Sequence, residues 1–226
     1  MDNMGRTLGI ATIGQAPRDD IAALFAAHAP AATRVVLRGC LDGLSDDDIA
    51  QRPPKDGADT LYTRLRGDRD VIISKAHVIE RAAETLKRLR EDGADALVFA
   101  CTGAFPPIPG DVGVLFPSRI LKGLADGLLP QGRLGLLIPL PEQREKSVAK
   151  WQRPGLEVVA EALRPSADAP ETHAAAARLK AKNPDLVAMD CMSYTPETKA
   201  AVTAVLGVPT LLAITATGRV MREFLE

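Results

Sequence analysis

Asp95-Ala96-Leu97-Val98-Phe99-Ala100-Cys101, followed by Pro106, is matched later in the chain by Asp185-Leu186-Val187-Ala188-Met189-Asp190-Cys191, followed by Pro196. Each stretch holds an aspartate, a short apolar run, a cysteine and a proline five residues further on. A second match joins Gly5-Arg6-Thr7-Leu8-Gly9-Ile10 to Gly132-Arg133-Leu134-Gly135-Leu136, and the same register places Arg18 opposite Arg144. The sequence therefore predicts two related halves that each supply one thiol.

Apolar runs of strand length alternate with longer helical patterns, which is typical of parallel α/β architecture with both sheet faces covered. The predicted strands cover residues 7–13, 33–37, 96–100, 113–116, 134–138, 156–160, 186–189 and 210–214. The predicted helices begin near Pro17, Ser74, Ser118, Pro141, Pro170, Thr195 and Thr217. The helix after Cys191 has the clearest start, because Thr195 can cap it, Pro196 suits its first position and Glu197 favours its positive end.

Extra sequence interrupts the first half between Asp42 and Ser74. Two strand-like runs, 60–65 and 71–73, flank a Gly67-Asp68 turn and predict a β-hairpin. No stretch is long enough to be a linker between independent domains, which favours two lobes sharing a cleft. The predicted division gives residues 1–117 with a C-terminal helix in 215–226 to an N-terminal lobe, and 118–214 to a C-terminal lobe.

Composition narrows the class of protein. The chain of 226 residues is 46% apolar and 25% charged with a formal net charge of -1, which gives no electrostatic reason to expect a nucleic acid or membrane partner. It lacks a signal-peptide core at its start and any apolar run of about 18 residues. Its three widely spaced cysteines fit reduced thiols, so we expect a cytoplasmic protein. Nothing in the sequence fixes the oligomeric state, and a homo-oligomer is compatible with it.

Metal and nucleotide sites are not expected. The three histidines lack ligand spacing, and the chain has no CxxC motif. Gly9 and Gly14 have the spacing of a phosphate loop, but Gln15-Ala16 stand where Lys-Ser/Thr would be needed. We therefore expect no metal and no cofactor. His77 is predicted to be exposed in a first helical turn, Trp151 to pack in the second lobe, and Cys40 to lie in the core or a loop.

Cys101 and Cys191 are the predicted catalytic residues. Ligands bind beyond the carboxyl ends of parallel strands, where both cysteines would fall. The amides and positive end of the helix after Cys191 would bind a carboxylate and favour the thiolate. Two thiols on opposite faces of one α-carbon could remove and return its proton. The structural alternative is that each cysteine is a small buried apolar residue.

The predicted substrate-binding groups follow the same strand ends. The loop from Thr12 to Arg18 could hold an anion, although it could equally be an ordinary turn with a surface arginine. Phe116-Pro117-Ser118-Arg119 is interpreted as a capped helix start. The substrate-binding set, with Arg18 or Arg144 assisting, is Thr12, Gly14, Gln15, Arg18, Thr102, Gly103, Arg144, Met192 and Ser193.

The chain resembles the AroM-type family in four segments, which are Leu8-Gly9-Ile10-Ala11-Thr12-Ile13-Gly14, Phe116-Pro117-Ser118-Arg119-Ile120-Leu121, Lys150-Trp151-Gln152 and Met189-Asp190-Cys191. The resemblance spans nearly the whole chain and links it to the aspartate/glutamate/hydantoin racemase superfamily. It implies two pseudo-twofold-related α/β lobes with mainly parallel sheets and an interlobe cleft. It also implies cofactor-independent chemistry by one or two cysteines. The superfamily racemases usually have Cys-Asn-Thr and Cys-Thr-His, whereas this chain has Cys101-Thr102-Gly103 and Cys191-Met192-Ser193.

Three functions follow from these residues. The leading hypothesis is a racemase or epimerase that uses Cys101 and Cys191 at the α-carbon of a small carboxylate or related carbonyl compound. The second is a one-cysteine decarboxylase or cis-trans isomerase that relies on Cys191. The third is a non-catalytic small-acid binding or regulatory protein on the same scaffold.

Overall fold

The computed structural model describes residues 5–226 and has α/β architecture with mainly parallel sheets. Its strands are β1 (Thr7–Thr12), β2 (Arg34–Gly39), β3 (Thr60–Arg64), β4 (Asp70–Ser74), β5 (Ala96–Ala100), β6 (Val114–Leu115), β7 (Gly132–Ile138), β8 (Leu156–Ala162), β9 (Leu186–Met189) and β10 (Thr210–Leu212). Its helices are α1 (Asp19–Ala26), α2 (Asp46–Ala50), α3 (Lys75–Glu91), α4 (Pro117–Leu128), α5 (Arg144–Trp151), α6 (Ala169–Lys180), α7 (Pro196–Leu206) and α8 (Ala213–Arg222). Short 3-10 turns cover Arg66–Asp68 and Pro141–Gln143.

The chain divides into two compact units. Of the described residues, 5–117 and Thr217–Glu226 form the first unit, and Ser118–Ala216 form the second. The sheet of the first unit has the order β2-β1-β5-β6, and the sheet of the second has the order β8-β7-β9-β10. All strand pairs in both sheets are parallel. Each strand of one sheet therefore has an equivalent in the other.

The registers show the internal repeat residue by residue. Gly9 on β1 lies opposite Leu97 on β5, and Gly135 on β7 lies opposite Val187 on β9. A Cβ atom on Gly9 would lie 2.6 Å from the Leu97 side chain, and one on Gly135 would lie 3.0 Å from Val187. Both glycines leave room for the neighbouring strand. Cys101 lies four residues after Leu97, and Cys191 lies four residues after Val187.

The same backbone contact starts β5 and β9. The side chain of Asp95 accepts a hydrogen bond from the amide of Thr7 at 2.7 Å, and Asp185 accepts one from the amide of Arg133 at 2.7 Å. The aspartate that opens each repeated stretch thus ties the start of a cysteine-bearing strand to its central neighbour. The sequence repeat is therefore present in three dimensions.

Most predicted elements are present, and the hairpin is confirmed as the antiparallel pair β3–β4. Several strand and helix ends differ from the predicted ones by one to three residues, and the largest difference is at the last helix. The strand predicted over 210–214 ends at Leu212, and α8 begins at Ala213 instead of near Thr217. A short apolar run such as Ala213-Ile214 fits either a strand or a helix, so its pattern could not fix this boundary. The short helix α2 was not predicted, although Ser45 and Asp48 form a capping box at its start.

Three side-chain predictions can be compared with the structure. Trp151 is fully buried and Cys40 is 1% exposed, so both core predictions are confirmed. The prediction that His77 is exposed is wrong, because the residue is 7% exposed and its Nδ1 lies 3.0 Å from Nη1 of Arg52. Arg52 follows α2 in the extra segment, whose packing could not be foreseen. Among the described residues, no helix is long and apolar enough to cross a membrane, and no cluster of His, Cys, Asp and Glu could hold a metal ion.

Candidate active site

Cys101 lies one residue beyond the end of β5 and is 7% exposed. The backbone amide of Gly103 donates a hydrogen bond to its Sγ at 3.3 Å. A hydrogen bond donated to sulfur stabilises the thiolate more than the thiol. The turn Cys101-Thr102-Gly103 therefore provides a local means of activating this thiol without a helix, and the described chain from 101 to 116 contains none.

Gly103 is tightly enclosed. A Cβ atom on this residue would lie 3.1 Å from Leu61 Cδ2 and from Phe105 Cε2, and 3.4 Å from Cys101 Sγ. Phe105 in turn contacts Phe99 edge-on, with ring centroids 5.0 Å apart. The first thiol thus lies beside an apolar wall to which the extra hairpin contributes Leu61.

The loop after β1 is held by its own polar groups. The amide of Gly14 donates to Thr12 Oγ1 at 3.4 Å, and the amide of Ala16 donates to Asp42 Oδ1 at 2.8 Å. Gln15 is buried, and its Nε2 donates to the carbonyls of Leu41 and Leu44 at 3.3 and 2.9 Å. These contacts fix the loop against the segment that follows β2.

Arg18 is the N-cap of α1 and is only 4% exposed. Its Nε and Nη2 donate to both carboxylate oxygens of Asp20 at 2.8 Å each. Burial acts to raise the pKa of Asp20, but the hydrogen bonds and charge of Arg18 outweigh it and hold the pKa below its usual value. The alternative interpretation of this loop was an ordinary turn with a surface arginine. Arg18 is instead buried and paired with Asp20.

The hairpin β3–β4 packs on the same loop. A Cβ atom on Gly14 would lie 2.2 Å from the carbonyl oxygen of Arg64 and 2.7 Å from Thr63 Oγ1. Arg66, just past β3, donates from Nε to the carbonyl of Ala16 at 2.7 Å. Leu61 and Thr63, two residues apart on one strand face, thus contact the thiol turn and the β1 loop respectively. Sequence reasoning found the hairpin but not this role.

Cys191 follows β9 in the second unit and is also 7% exposed. A turn of Met192, Ser193 and Tyr194 separates it from α7. The hydroxyl of Tyr194 donates to the carbonyl of Leu163 at 2.5 Å, which ties this turn to the end of β8. Thr195 caps α7 by accepting from the amide of Thr198 at 3.2 Å, as the sequence predicted.

Asp190, directly before Cys191, joins two of the segments on which the family resemblance rests. Its Oδ2 accepts hydrogen bonds from Lys150 Nζ at 2.5 Å and from Trp151 Nε1 at 2.9 Å. The side chain of Asp190 is 3% exposed and that of Lys150 is 16% exposed. Lys150-Trp151 and Asp190-Cys191 were both singled out in the sequence, but their contact was not foreseen.

Arg144 is the first residue of α5, the position equivalent to that of Arg18 before α1. Its Nη2 lies 3.6 Å from Glu161 near the end of β8, and its side chain is 46% exposed. Glu161 is also held by Lys182 Nζ at 2.5 Å and by Arg178 Nε at 3.3 Å. Burial opposes ionisation of Glu161, but these cations keep its pKa below the usual value.

The predicted site residues therefore fall into two groups. In the first unit, Thr12, Gly14, Gln15 and Arg18 follow β1, and Cys101, Thr102 and Gly103 follow its neighbour β5. In the second unit, Arg144 lies beyond β7, and Cys191, Met192 and Ser193 follow its neighbour β9. Each group lies at the carboxyl ends of two adjacent parallel strands, which is the usual ligand-binding edge of such a sheet.

The two α/β units have matched parallel sheets, and in each unit a cysteine follows an equivalent strand. The family model described as AroM protein matches residues 8–225, so the chain belongs to the AroM family. No curated protein sequence matches the chain.

Solved structures share this fold at low sequence identity. Unliganded arylmalonate decarboxylase is 14% identical with a TM-score of 0.65, covering 98% of this chain and 93% of that chain. Glutamate racemase from Francisella tularensis subsp. tularensis SCHU S4, in complex with D-glutamate, is 16% identical with a TM-score of 0.57, covering 98% and 81%. Picrophilus torridus aspartate racemase is 12% identical with a TM-score of 0.57, covering 97% and 94%. At these identities the likeness establishes the fold.

Proposed function

We propose that this protein is a cofactor-independent racemase or epimerase that acts at the α-carbon of a small carboxylate or related carbonyl compound. The equivalence of the two thiol positions carries this proposal. Cys101 and Cys191 each stand four residues beyond the strand residue that faces Gly9 or Gly135. The fold shared with glutamate and aspartate racemases supports the same reaction class.

In the proposed reaction one cysteine, as thiolate, takes the α-proton while the other, as thiol, donates a proton to the opposite face of the carbon. The roles reverse for the other enantiomer. The Gly103 amide would favour the thiolate of Cys101. Removing an α-proton beside a carboxylate also needs donors that stabilise the developing charge. We assign this task to the turn amides of Thr102, Met192 and Ser193, assisted by Arg144.

The remaining predicted groups have a different part in this proposal. Gln15, the Ala16 amide and Arg18 all have protein partners, so they would hold the β1 loop in shape beside the substrate. Thr12 and Gly14 belong to the same hydrogen-bonded turn. The three cysteines are free, which favours a reducing cytoplasm, and the proposal includes no cofactor, nucleic acid or membrane partner.

Proton NMR in D₂O tests the reaction. A panel of amino acids, hydantoins, 2-hydroxy acids and substituted malonates is incubated with the protein, and loss of the α-proton signal is followed. A two-thiol racemase exchanges the α-proton and inverts its substrate. Inversion falls by orders of magnitude in Cys101→Ser and in Cys191→Ser, because serine is far too weak an acid to form the base at neutral pH.

Cys40→Ser is the matched control, because Cys40 is buried in the core at 1% exposure and has no part in the proposal. Its inversion rate should equal that of the wild type once folded protein is quantified. Full activity in Cys191→Ser would refute every cysteine-based version of the proposal.

A one-cysteine decarboxylase or cis-trans isomerase is the second candidate. Its favouring observation is that α7 begins soon after Cys191, whereas the described segment 101–116 after Cys101 contains no helix. This enzyme would depend strongly on Cys191 and weakly on Cys101 in the same assay. A binding or regulatory protein would retain its ligand in both serine variants and exchange no proton.

A further inference from the structure

The residue before the second thiol is a buried carboxylate with no counterpart in the first unit. Asp190 is 3% exposed in its side chain and precedes Cys191, whereas Ala100 holds the equivalent position before Cys101. A buried carboxylate and ammonium are expensive to remove from water and rarely improve stability over apolar residues of similar size. The first unit packs the same position with a methyl group, so packing alone does not require Asp190.

Two neighbouring side chains of α5 fix this carboxylate. Lys150 Nζ lies 2.5 Å from Asp190 Oδ2, and Trp151 Nε1 donates to the same oxygen at 2.9 Å. Trp151 is fully buried, so the position of its Nε1, and with it the position of the carboxylate oxygen that it binds, is fixed by the surrounding core. The Asp190 amide donates to the carbonyl of Leu137 on β7 at 2.9 Å. The segment leading into Cys191 is therefore held at both backbone and side chain.

We infer that Asp190 and Lys150 form a positioning pair that orients Cys191 and balances the charge beside it. The inference rests on the proposed function only in taking Cys191 as a reacting thiol. The negative charge of Asp190 alone would disfavour a thiolate beside it, and the positive charge of Lys150 alone would favour one. Together their charges offset each other, which suits a thiol that acts as an acid in one direction and as a base in the other.

The neighbouring elements carry further charged groups, among them the half-buried Lys199 on α7. Glu161 on β8 is held by Arg144, Arg178 and Lys182. Glu197 on α7 is exposed. The pair Lys182–Glu161, at the same 2.5 Å as Lys150–Asp190, offers a matched control because neither of its members is adjacent to a cysteine in the sequence.

Alkylation of Cys191 by iodoacetamide tests the inference without any substrate. The modified protein is digested, and the modification of Cys191 is quantified by mass spectrometry over a pH series. Asp190→Asn keeps the shape and the hydrogen-bond acceptor but removes the negative charge, so alkylation at pH 7 should become roughly tenfold faster. Lys150→Met leaves the carboxylate without its cation, so alkylation should become slower. The double variant should return to within about twofold of the wild type.

Lys182→Met and Glu161→Gln should leave Cys191 alkylation unchanged. If the pair had only a structural role, Asp190→Asn and Lys150→Met would change the rate of Cys191 alkylation in the same direction or leave it unchanged. Either result overturns the inference. If Lys150→Met fails to fold, Asp190→Asn decides alone, and an unchanged pH profile refutes the inference. Because alkylation requires no turnover, a protein that alkylates as expected but exchanges no substrate proton would refute the proposed function and leave this inference standing.

Discussion

The three thiols of the chain have different surroundings. Cys40 is enclosed in the core, and burial raises its pKa to about 12 from an ordinary value of 9.0. Cys101 and Cys191 are each 7% exposed at strand ends, and the first accepts a backbone amide hydrogen bond. One residue type therefore serves as core in one place and as a proposed acid or base in the others.

The buried thiol predicts a pH dependence of stability. Between pH 9 and about pH 12 the unfolded chain loses the Cys40 proton while the folded protein keeps it, so this group lowers stability as pH rises. At pH 10 the loss is about 1 kcal/mol. Cys40→Ala removes it, so urea unfolding should show a smaller drop in stability between pH 8 and pH 10 than in the wild type. Equal drops in both proteins would contradict the prediction.

A single methyl group at the first thiol turn should impair its thiol. In Gly103→Ala the new Cβ would lie 3.1 Å from Leu61 and Phe105, so the turn must shift and weaken the amide contact to sulfur. Alkylation of Cys101 at pH 7 should fall about fivefold, the effect of losing about 1 kcal/mol of a charge-assisted hydrogen bond. Gly123→Ala in α4, where a Cβ meets nothing within 4 Å, is the control. Equal rates in wild type and Gly103→Ala would show that the amide contact does not activate the thiol.

Among the elements, the hairpin β3–β4 makes the first unit differ from the second. Counting on from the paired strands, Gly14 in the first unit corresponds to Leu140 in the second, which has no equivalent hairpin. The hairpin backbone at Arg64 fills the space that a side chain at position 14 would need. A glycine is therefore required where the hairpin packs, and a leucine is tolerated where it does not.

Gly14→Ala tests this packing. Its Cβ would lie 2.2 Å from the carbonyl oxygen of Arg64, so the backbone of the hairpin or the loop must move. We expect a loss of about 1 to 3 kcal/mol in the free energy of unfolding, as in other overpacked sites, measured by urea denaturation. Gly127→Ala, a helical glycine with open space around its Cβ position, should be neutral or slightly stabilising. A stable Gly14→Ala protein would show that the hairpin yields readily.

The elements also show what the sequence could and could not predict. The strands over 96–100 and 186–189 have the predicted bounds. Each is a short apolar run that an aspartate precedes, and Cys101 or Asp190 follows it. The start of α8 was misplaced because a short apolar run such as Ala213-Ile214 is ambiguous between strand and helix. The contact between Lys150 and Asp190 spans 40 residues of sequence and depends on how α5 packs, which no local pattern specifies.

At the scale of the whole molecule, the two units keep their contacts while changing the residues that make them. In the first unit Arg38 on β2 binds Asp92 after α3, with bonds of 2.6 and 2.7 Å. The equivalent positions in the second unit are Glu161 on β8 and Lys182 after α6, which are paired at 2.5 Å. The ion pair that joins an outer strand to the helix end is thus present in both units with its signs exchanged.

This exchange predicts that the signs can be reversed in the first unit. Asp92→Lys places a second cation beside Arg38 and should destabilise the protein by about 1 kcal/mol, the scale of a partly exposed ion pair. Adding Arg38→Glu restores an opposite pair with the signs found in the second unit, so the double variant should regain most of the loss. Urea denaturation of the wild type, both single variants and the double variant gives the coupling energy directly. Additive losses in the double variant would mean that the two sites matter separately and that the shared contact is not what the repeat preserves.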